Sequence, residues 1–242
     1  MPTLREGIAA LLRDGDYEAV LDKAREDRRT VRTLMGILYH DDELVRWRAV
    51  TMFGHLAAAE PGLVSPFIFR LLWSLNEESS VVGWCSAQAL GEIARRNPAL
   101  TKDSVRVVVH FLDDDEVCRP ANRNTPILIG AIWAIGNLAL QEPALTTEMG
   151  PALVTYLDDP DPDVRAHTAW ALGRLAGGPG DKSAGMSGGA SGLSRPTWLA
   201  GALDGLRALA DDSSVVRMYI DGQLVEREIS DVAAEAVAGL AE

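Results

Sequence analysis

One phrase recurs along this chain and constrains its fold more than any other feature. Its clearest copy runs Asp163-Val-Arg-Ala-His-Thr-Ala-Trp-Ala-Leu-Gly-Arg-Leu-Ala176. The aligned glycines of the four copies, Gly54, Gly91, Gly136 and Gly173, are 37, 45 and 37 residues apart. A period in this range is typical of helical solenoids. Each repeat therefore predicts a pair of helices that cannot bury its apolar side alone and must stack on its neighbours.

Composition narrows the class of protein. The chain has 242 residues, 47% of them hydrophobic, and a formal net charge of −12. An acidic chain is unsuited to nucleic acid as its general partner, because phosphate binding needs a basic face. The sequence has no run of about 18 apolar residues, which a membrane-spanning helix would need. Its first residues do not resemble a secretion signal. Cys85 and Cys118 lie in no C-x-x-C motif, so we expect a cytoplasmic protein with no disulfide framework, metal or cofactor.

Apolar spacing predicts helix pairs along most of the chain. Two short helices are expected over 3–12 and 17–28. The first helices of the repeats are then expected over 30–39, 61–75, 98–112 and 143–157, and the second helices from about 43 and over 79–96, 126–140 and 162–176. Prolines stand at or near several of these starts, where no amide hydrogen is needed. Acidic turns precede several second helices, and carboxylates there complement the positive end of the helix dipole.

Two segments interrupt the repeats. Residues 177–196 are rich in glycine and serine, which predicts a flexible loop. Residues 216–229 are rich in β-forming side chains around Asp221-Gly222, a pair that favours a tight hairpin turn. Residues 232–241 then resume the repeat. We expect a single repeat domain over 1–242 that carries this loop and this hairpin as insertions.

The phrase Asp-x-x-Val-Arg-x-x-Ala-x-x-Ala-Leu-Gly, found from Asp161 to Gly173, resembles HEAT-like repeats, most closely the short bacterial kind of the phycobilisome-lyase type. The resemblance covers roughly 30–176 and returns weakly at the end of the chain. It implies an all-α HEAT-like α-solenoid, a right-handed superhelix of helix pairs, with a small β-hairpin inserted near the C-terminus. Such repeats serve scaffolds, chaperone-like subunits, chromophore lyases and DNA glycosylases, so the resemblance leaves function open. Gly83 and Leu128 replace the repeat arginine found at Arg46 and Arg165.

Four tryptophans share one side of the second helices. Trp47 and Trp84 occupy one repeat position, and Trp133 and Trp170 occupy another position four residues further on. At about 100° per residue, this side lies opposite the stripe that faces the core. One interpretation is a concave groove in which the indoles contact a partner, since tryptophan is enriched at binding hot spots. The other is that the rings pack between successive second helices across the repeat glycines.

Polar residues accompany this tryptophan side. Each is either a partner contact or part of a solvated helix surface: Arg48, Gln88, Glu92, Asn137, His167 and Arg174. The segment 118–126 lengthens the third repeat and places Arg123 and Asn124 near the rim of the expected groove. Long loops often carry function, but a turn that only caps the following helix would also explain this segment.

Catalytic patterns are weak. His40, His55, His110 and His167 fall in different repeats, and none lies in a metal-binding motif. Residues 178–183 lack the Gly-Lys-Ser/Thr signature of a phosphate-binding loop. The sequence therefore favours a non-catalytic protein-interaction or scaffold module of a bacterial cytoplasm, with another protein as its partner.

The sequence is also compatible with two other functions. One is a lyase-like or chaperone-like subunit that acts on a cofactor-bearing protein. The other is a HEAT-like DNA glycosylase, which requires a basic concave face and a catalytic carboxylate. Glu92 is the one obvious candidate for that carboxylate near the tryptophan side.

Overall fold

Helices follow one another along almost all of the chain that the computed structural model describes, namely residues 2–75, 85–113, 124–139, 148–175 and 196–241. The α-helices are α1 Leu4–Asp14, α2 Tyr17–Glu26, α3 Arg29–Ile37, α4 Glu43–Ala59, α5 Pro61–Leu75, α6 Ser86–Arg96, α7 Pro98–Thr101, α8 Val105–Val109, α9 Thr125–Leu138, α10 Gly150–Thr155, α11 Pro162–Leu175, α12 Leu199–Ala208 and α13 Ile229–Ala241. Short 3-10 turns span His110–Asp113, Tyr156–Asp158 and Leu209–Asp211. Within these described stretches, no helix is both long and apolar enough to span a bilayer.

Helix starts follow the local sequence signals. Thr3 and Glu6 form a reciprocal capping box at α1. Asp42 caps α4 by accepting a hydrogen bond from the amide of Val45 at 3.3 Å. The expected bounds of α5 agree with the structure at both ends, and those of α11 agree to within one residue.

Three helices differ from expectation. Within the described residues, the helix expected over 143–157 is α10, Gly150–Thr155, followed by the 3-10 turn Tyr156–Asp158. The continuous helix expected over 98–112 is broken into α7, α8 and a 3-10 turn, and a turn at Thr101–Ser104 separates the first two pieces. The valine-rich run that follows has a lower helix propensity than an alanine- or leucine-rich run. The helix α12 was not anticipated, although Ala202 and Leu206 on one side of it are buried. Residues 79–84 of the expected second helix, and the expected loop up to residue 195, lie outside the described residues.

By its contacts, the chain divides into two compact units. The first unit comprises Met1–Ala134 with Met218–Val225, and the second comprises Ile135–Arg217 with Glu226–Glu242. The expectation of one domain over 1–242 stays a prediction.

In the first unit the repeat glycines lie where second helices touch. A Cβ built on Gly91 would lie 2.7 Å from the Cβ of Ala134 on α9. A Cβ on Gly54 would lie 2.8 Å from Cδ of Arg96 on α6. Close approach of this kind buries α4 on nearly all sides, as expected for a helix that is apolar around most of its circumference. It also buries α6 from Ser86 to Ala94, although α6 carries Gln88 and Glu92.

The second unit repeats this arrangement. A Cβ on Gly173 of α11 would lie 2.9 Å from Cα of Ala236 on α13. The terminal helix α13 therefore packs as the second helix of a last repeat, which agrees with the weak return of the phrase at 232–241.

The repeat arginines fix the turns that precede second helices. Arg165 donates hydrogen bonds from Nη1 to the carbonyls of Asp159, at 2.7 Å, and Pro160, at 3.2 Å. In the first unit, Arg46 binds the carbonyls of His40 and Asp41 in the same way. These carbonyls belong to turns with few backbone partners of their own, so the arginines have a structural role.

The predicted hairpin is confirmed. Strands β1 Val215–Ile220 and β2 Gln223–Glu228 form a two-stranded sheet. Asp221 and Gly222 at its turn have φ of 49° and 80°. Two successive positive φ values are what a type I′ turn requires, and this is why an Asp-Gly pair is favoured there. We call Met218–Val225, which belongs to the first unit, the hairpin tip.

Candidate functional site

The candidate site lies on one side of α4 in the first unit. Trp47, Thr51 and His55 are spaced by four residues, so they line one side of the helix, with Arg48 beside them. We call these four residues the α4 face. The hairpin tip packs directly on it.

Aromatic stacking joins the two segments. The ring of Tyr219, from the hairpin tip, stacks on Trp47 with centroids 5.0 Å apart and planes inclined by 7°. Trp133 of α9 meets the same indole at 5.1 Å and 54°. Contacts of this geometry favour association beyond the area that they bury. Trp47 is 8% exposed and Trp133 is 4% exposed, so an open aromatic groove is wrong for these two positions.

Hydrogen bonds orient the tyrosine. The hydroxyls of Tyr219 and Thr51 lie 2.8 Å apart, and the hydroxyl of Tyr17 is 3.5 Å from that of Tyr219. Burial raises the pKa of the Tyr219 phenol, and the hydrogen bond with Thr51 only partly opposes this effect. Tyr219 is therefore a neutral hydrogen-bonding group at neutral pH.

Arg48 holds backbone carbonyls from two parts of the first unit. Its Nη1 donates to the carbonyl of Leu12 at 3.1 Å and also to that of Arg13. Its Nε donates to the carbonyl of Gly222, in the hairpin turn, at 3.2 Å. Arg48 is buried, so the interpretation of Arg48 as part of a solvated helix surface is wrong. The guanidinium instead ties the hairpin tip to the C-terminal end of α1.

At the far end of the α4 face, His55 stacks on Tyr17 with centroids 4.8 Å apart and planes inclined by 15°. Burial lowers the pKa of His55, and the nearby charge of Arg96 lowers it further. The α4 face therefore presents a ring, a hydroxyl, a guanidinium and an imidazole.

Two polar residues of α6 are also more buried than expected. Gln88 is 3% exposed, and a Cβ built on Gly130 would lie 2.6 Å from its Oε1. Glu92 is 5% exposed, and Arg95 donates to both of its carboxylate oxygens at 2.7 and 3.3 Å. Because the carboxylate of Glu92 is already paired, it gives no support to the glycosylase alternative.

Trp170, which the sequence also assigned to the expected groove, lies in the second unit. The Trp170 ring lies against Gly136, and Arg174 lies over the Trp170 ring at 5.0 Å from its centroid. Nε of Arg174 also donates to the Gly136 carbonyl at 3.0 Å. The repeat glycine thus leaves room for an indole, and the Arg174 guanidinium lies over the same indole.

Two further residues of the second unit are buried. His167 is 3% exposed, with Nδ1 at 2.7 Å from the carbonyl of Asp163, and Asn137 is 8% exposed. The solvated surface considered for both is wrong. Whether Asn137, His167, Trp170 or Arg174 contacts a partner stays a prediction.

The long loop of the third repeat is described only at its end. Asn124 accepts a hydrogen bond from the amide of Ile127 at 3.3 Å, which is the geometry of a helix cap. This favours the capping interpretation for Asn124. Arg123 and Trp84 lie outside the described residues. No group of three or more His, Cys, Asp or Glu side chains placed to hold a metal ion occurs in the described part of the chain.

Sequence reasoning found Trp47 but missed Tyr219, which stacks on it, and also Tyr17 and Thr51, whose hydroxyls lie near that of Tyr219. Thr51 follows Trp47 by four residues, and that spacing could have placed it on the same side of α4. Tyr219 had no such signal, because it is 168 residues from Thr51 in sequence. The strand pattern around Tyr219 predicts a hairpin, but it does not predict the surface on which the hairpin packs.

Comparison with known proteins supports the architecture. Residues 126–175 match the family model of the HEAT-like repeat. An uncharacterised protein of the archaeon Archaeoglobus fulgidus is 39% identical over 88 residues, which is 36% of this chain and 46% of that protein. The chain thus matches less than half the length of this relative. The bacterial and cytoplasmic setting expected from sequence stays a prediction.

Solved structures show the same fold at low identity. An engineered protein from a structural genomics consortium has a TM-score of 0.53 and 20% identity, covering 98% of this chain and 53% of its own. A designed armadillo repeat protein in complex with the peptide (KR)4 has a TM-score of 0.52 and 19% identity, covering 99% and 100%. Residues 126–175 therefore match a HEAT-like repeat, and the chain shares the fold of helical repeat solenoids.

Proposed function

We propose that this protein is a non-catalytic protein-binding module, and that a segment of its partner docks on the α4 face in place of the hairpin tip. The observation that carries the proposal is the stacking of Tyr219 on Trp47. The α4 face already holds a polypeptide segment that is remote in sequence. A surface able to hold one extended segment is chemically suited to hold another.

Three kinds of contact support this. Trp47 offers a ring for an aromatic side chain, and Thr51 offers a hydroxyl for its polar tip. Arg48 donates to a backbone carbonyl, which every peptide possesses. Main-chain hydrogen bonds give affinity and side-chain pockets give selectivity in peptide recognition. The preferred partner segment therefore presents an aromatic residue next to a turn.

Similarity to the designed armadillo repeat protein supports the class of ligand. That protein forms a complex with a peptide, and its fold is shared with this chain. We take from this only that a stack of helix pairs accommodates an extended polypeptide.

The hairpin tip competes with any partner for this surface. A tethered segment has an effective concentration on the order of millimolar. A partner in solution must therefore bind more tightly than the tip or meet a protein whose tip has been weakened. Weakening the tip should increase partner binding, whereas damage to the α4 face should abolish it.

The test uses a fluorescein-labelled peptide with the sequence Ser214–Ile229 as the probe. We expect the peptide to bind the Tyr219→Ala protein in a fluorescence anisotropy titration. Wild type should bind it at least about tenfold more weakly, the equivalent of about 1.4 kcal/mol. The double variant Trp47→Ala/Tyr219→Ala should lose binding. Val215→Ala, at an exposed position of the hairpin base, is the matched control and should behave as wild type.

Circular dichroism of each variant establishes that the helices are intact. Equal binding of the peptide to wild type and Tyr219→Ala would refute the competition. Binding that survives Trp47→Ala would refute the α4 face as the surface. Affinity capture from the source organism with wild type, Tyr219→Ala and the double variant then identifies partners by the same pattern of gain and loss.

A further inference from the structure

A second surface of the first unit carries an unusual concentration of positive charge. A cavity of about 200 Å³ lies between α3 and the first turns of α5, and three of its lining residues are Arg28, Arg29 and Arg32. The chain has 23 basic against 35 acidic residues, so its composition does not favour such a cluster. No acidic side chain is among the described residues that line the cavity.

Two of these guanidiniums are available for a ligand. Arg29 pairs with Asp27 at 2.8 Å, and its side chain remains 80% exposed. Across the described residues, no carboxylate forms an ion pair with Arg28 or Arg32. These two arginines are four residues apart, which places them one turn apart on the same side of the helix start. The next cation along the chain, Arg25, already binds Asp22 and Glu60.

The opposite wall of the cavity is apolar. It is formed by the first two turns of α5, including Leu63, Pro66 and Phe67. The partial positive charge at the start of a 15-residue helix adds a weak attraction for anions. A carboxylate in the cavity would thus meet guanidiniums on one side and an apolar surface on the other.

An exposed aromatic stripe continues from this wall along α5. Phe69 is 77% exposed and Trp73 is 57% exposed. With Pro66 they recur every three or four residues, so they share one side of the helix. A small anion would use only the arginine cavity. A peptide whose acidic residues precede apolar ones would contact both features.

We propose that the cavity between α3 and α5, with the stripe of Phe69 and Trp73, docks an acidic segment of a partner protein that also carries apolar residues. Charge complementarity selects the acidic part, because Arg28 and Arg32 supply donors in the fork geometry that carboxylates match. Arginine and tryptophan are also enriched at binding hot spots. The net charge of −12 does not prevent this, because charges beyond about 10 Å are largely screened at 0.1 M salt.

This surface is distinct from the α4 face, so the two proposals fail or succeed separately. Trp47→Ala should leave docking on the arginine cavity unchanged. Removal of the arginines should leave binding of the hairpin peptide to Tyr219→Ala unchanged.

The probe is the labelled peptide Glu-Glu-Asp-Glu-Leu-Leu. The control peptide has the same sequence with lysine at the four acidic positions. We expect the acidic peptide to bind the full chain. The double variant Arg28→Ala/Arg32→Ala should weaken this binding by about tenfold or more. The matched control Arg5→Ala/Arg106→Ala removes two exposed arginines elsewhere and should have little effect. Phe69→Ala/Trp73→Ala should weaken the probe but not a peptide of glutamates alone.

Four outcomes would overturn the proposal. The first is that Arg28→Ala/Arg32→Ala and Arg5→Ala/Arg106→Ala weaken binding of the acidic peptide equally. The second is that the lysine peptide binds as tightly as the acidic peptide. The third is that the acidic peptide does not bind at millimolar concentration. The fourth is binding of inorganic phosphate as tight as that of the peptide, which would make the cavity a small-anion site. Phe69 and Trp73 are exposed, so their replacement should leave the fold intact, and circular dichroism verifies this.

Discussion

The indole of Trp170 lies so close to Gly136 that any side chain at the glycine would collide with it. A Cβ built on Gly136 would be 2.5 Å from Cζ3 of Trp170 and 2.9 Å from Cα of Ala171. Of the two interpretations that the sequence leaves open for the tryptophans, packing between second helices therefore holds at this repeat. The repeat glycine is required because it accepts the ring of the next helix.

Gly136→Ala should destabilise the second unit. The added methyl forces the ring or the helix to move, which costs about 1–3 kcal/mol in a packed interior. The better helix propensity of alanine returns only about 1 kcal/mol. We expect a lower urea midpoint in unfolding followed by circular dichroism.

The matched control is Gly36→Ala in α3. Nothing lies within 4 Å of a Cβ built on Gly36. Without a collision, only the propensity gain remains, so this variant should be stabilised by about 0.5–1 kcal/mol. If Gly136→Ala is stabilised to the same extent, the close approach to Trp170 is not a constraint in solution.

Trp133→Ala should lower the free energy of unfolding of the protein. Trp133 is 4% exposed and contacts Trp47, so its truncation creates a cavity. Loss of a buried aromatic side chain typically costs about 3–5 kcal/mol. The measurement is the free energy of unfolding in urea.

Trp73→Ala makes the same substitution at a 57% exposed position of α5. Its free energy of unfolding should stay within about 0.5 kcal/mol of wild type. A small effect of Trp133→Ala, comparable to that of Trp73→Ala, would mean that the Trp133 ring is accessible and that an open groove exists after all.

The architecture could be predicted from sequence because its signals are local. The capping Asp42 and the Asp221-Gly222 turn act within a few residues of chain. Each repeat glycine stands in a short phrase that recurs, although its packing partner lies on another helix. The placement of the candidate site could not be predicted in this way. Trp47 is covered by Tyr219, and that contact depends on where a distant hairpin packs.

The helical wheel also overestimated exposure. It assigns one inward side to each helix, yet second helices such as α6 and α11 are buried on most sides. Gln88 and His167 are consequently buried at positions where a single-sided helix would expose them. A pattern of one helix cannot reveal the two neighbouring second helices that enclose it.

Asp212→Asn should weaken the second unit at neutral pH. Asp212 accepts a hydrogen bond from Nε of Arg165 at 2.9 Å and another from the amide of Ser214 at 3.1 Å. Hydrogen bonds that involve a charged group contribute about 1.5–3 kcal/mol. We expect a loss of this size in the free energy of unfolding at pH 7. The control, Asp204→Asn, breaks an exposed pair with Arg207 and should change stability by less than about 0.5 kcal/mol.

The effect of Asp212 should depend on pH in a defined direction. Burial alone would raise the pKa of Asp212, but the hydrogen bonds from Ser214 and Arg165 outweigh it and lower the pKa below its ordinary value of 3.8. The unfolded chain therefore binds the proton more readily than the folded one. The stabilisation is complete above pH 3.8 and is lost as the pH falls through the folded pKa. The difference between wild type and Asp212→Asn should shrink in that acid range, and a constant difference would contradict the assignment.

His55 should make the first unit less stable in mildly acidic solution. Burial lowers the pKa of His55 below its ordinary value of 6.5, and Arg96 and Arg95 act in the same direction. Glu92 and Glu18 oppose the shift without reversing it. Between the folded and unfolded pKa values, the unfolded state binds more protons. Stability is therefore complete above pH 6.5 and falls as the pH drops from 6.5 towards the folded pKa.

Two measurements check this prediction. Titration of the imidazole by NMR should give His55 a pKa below 6.5. Urea unfolding of His55→Gln should show a smaller loss of stability between neutral and mildly acidic pH than wild type, because the titrating group is gone. His110→Gln removes an exposed imidazole and controls for the substitution itself. An NMR pKa at or above 6.5 would mean that the imidazolium is accommodated beside Tyr17, and that the α4 face is more open to water than its packing under the hairpin tip implies.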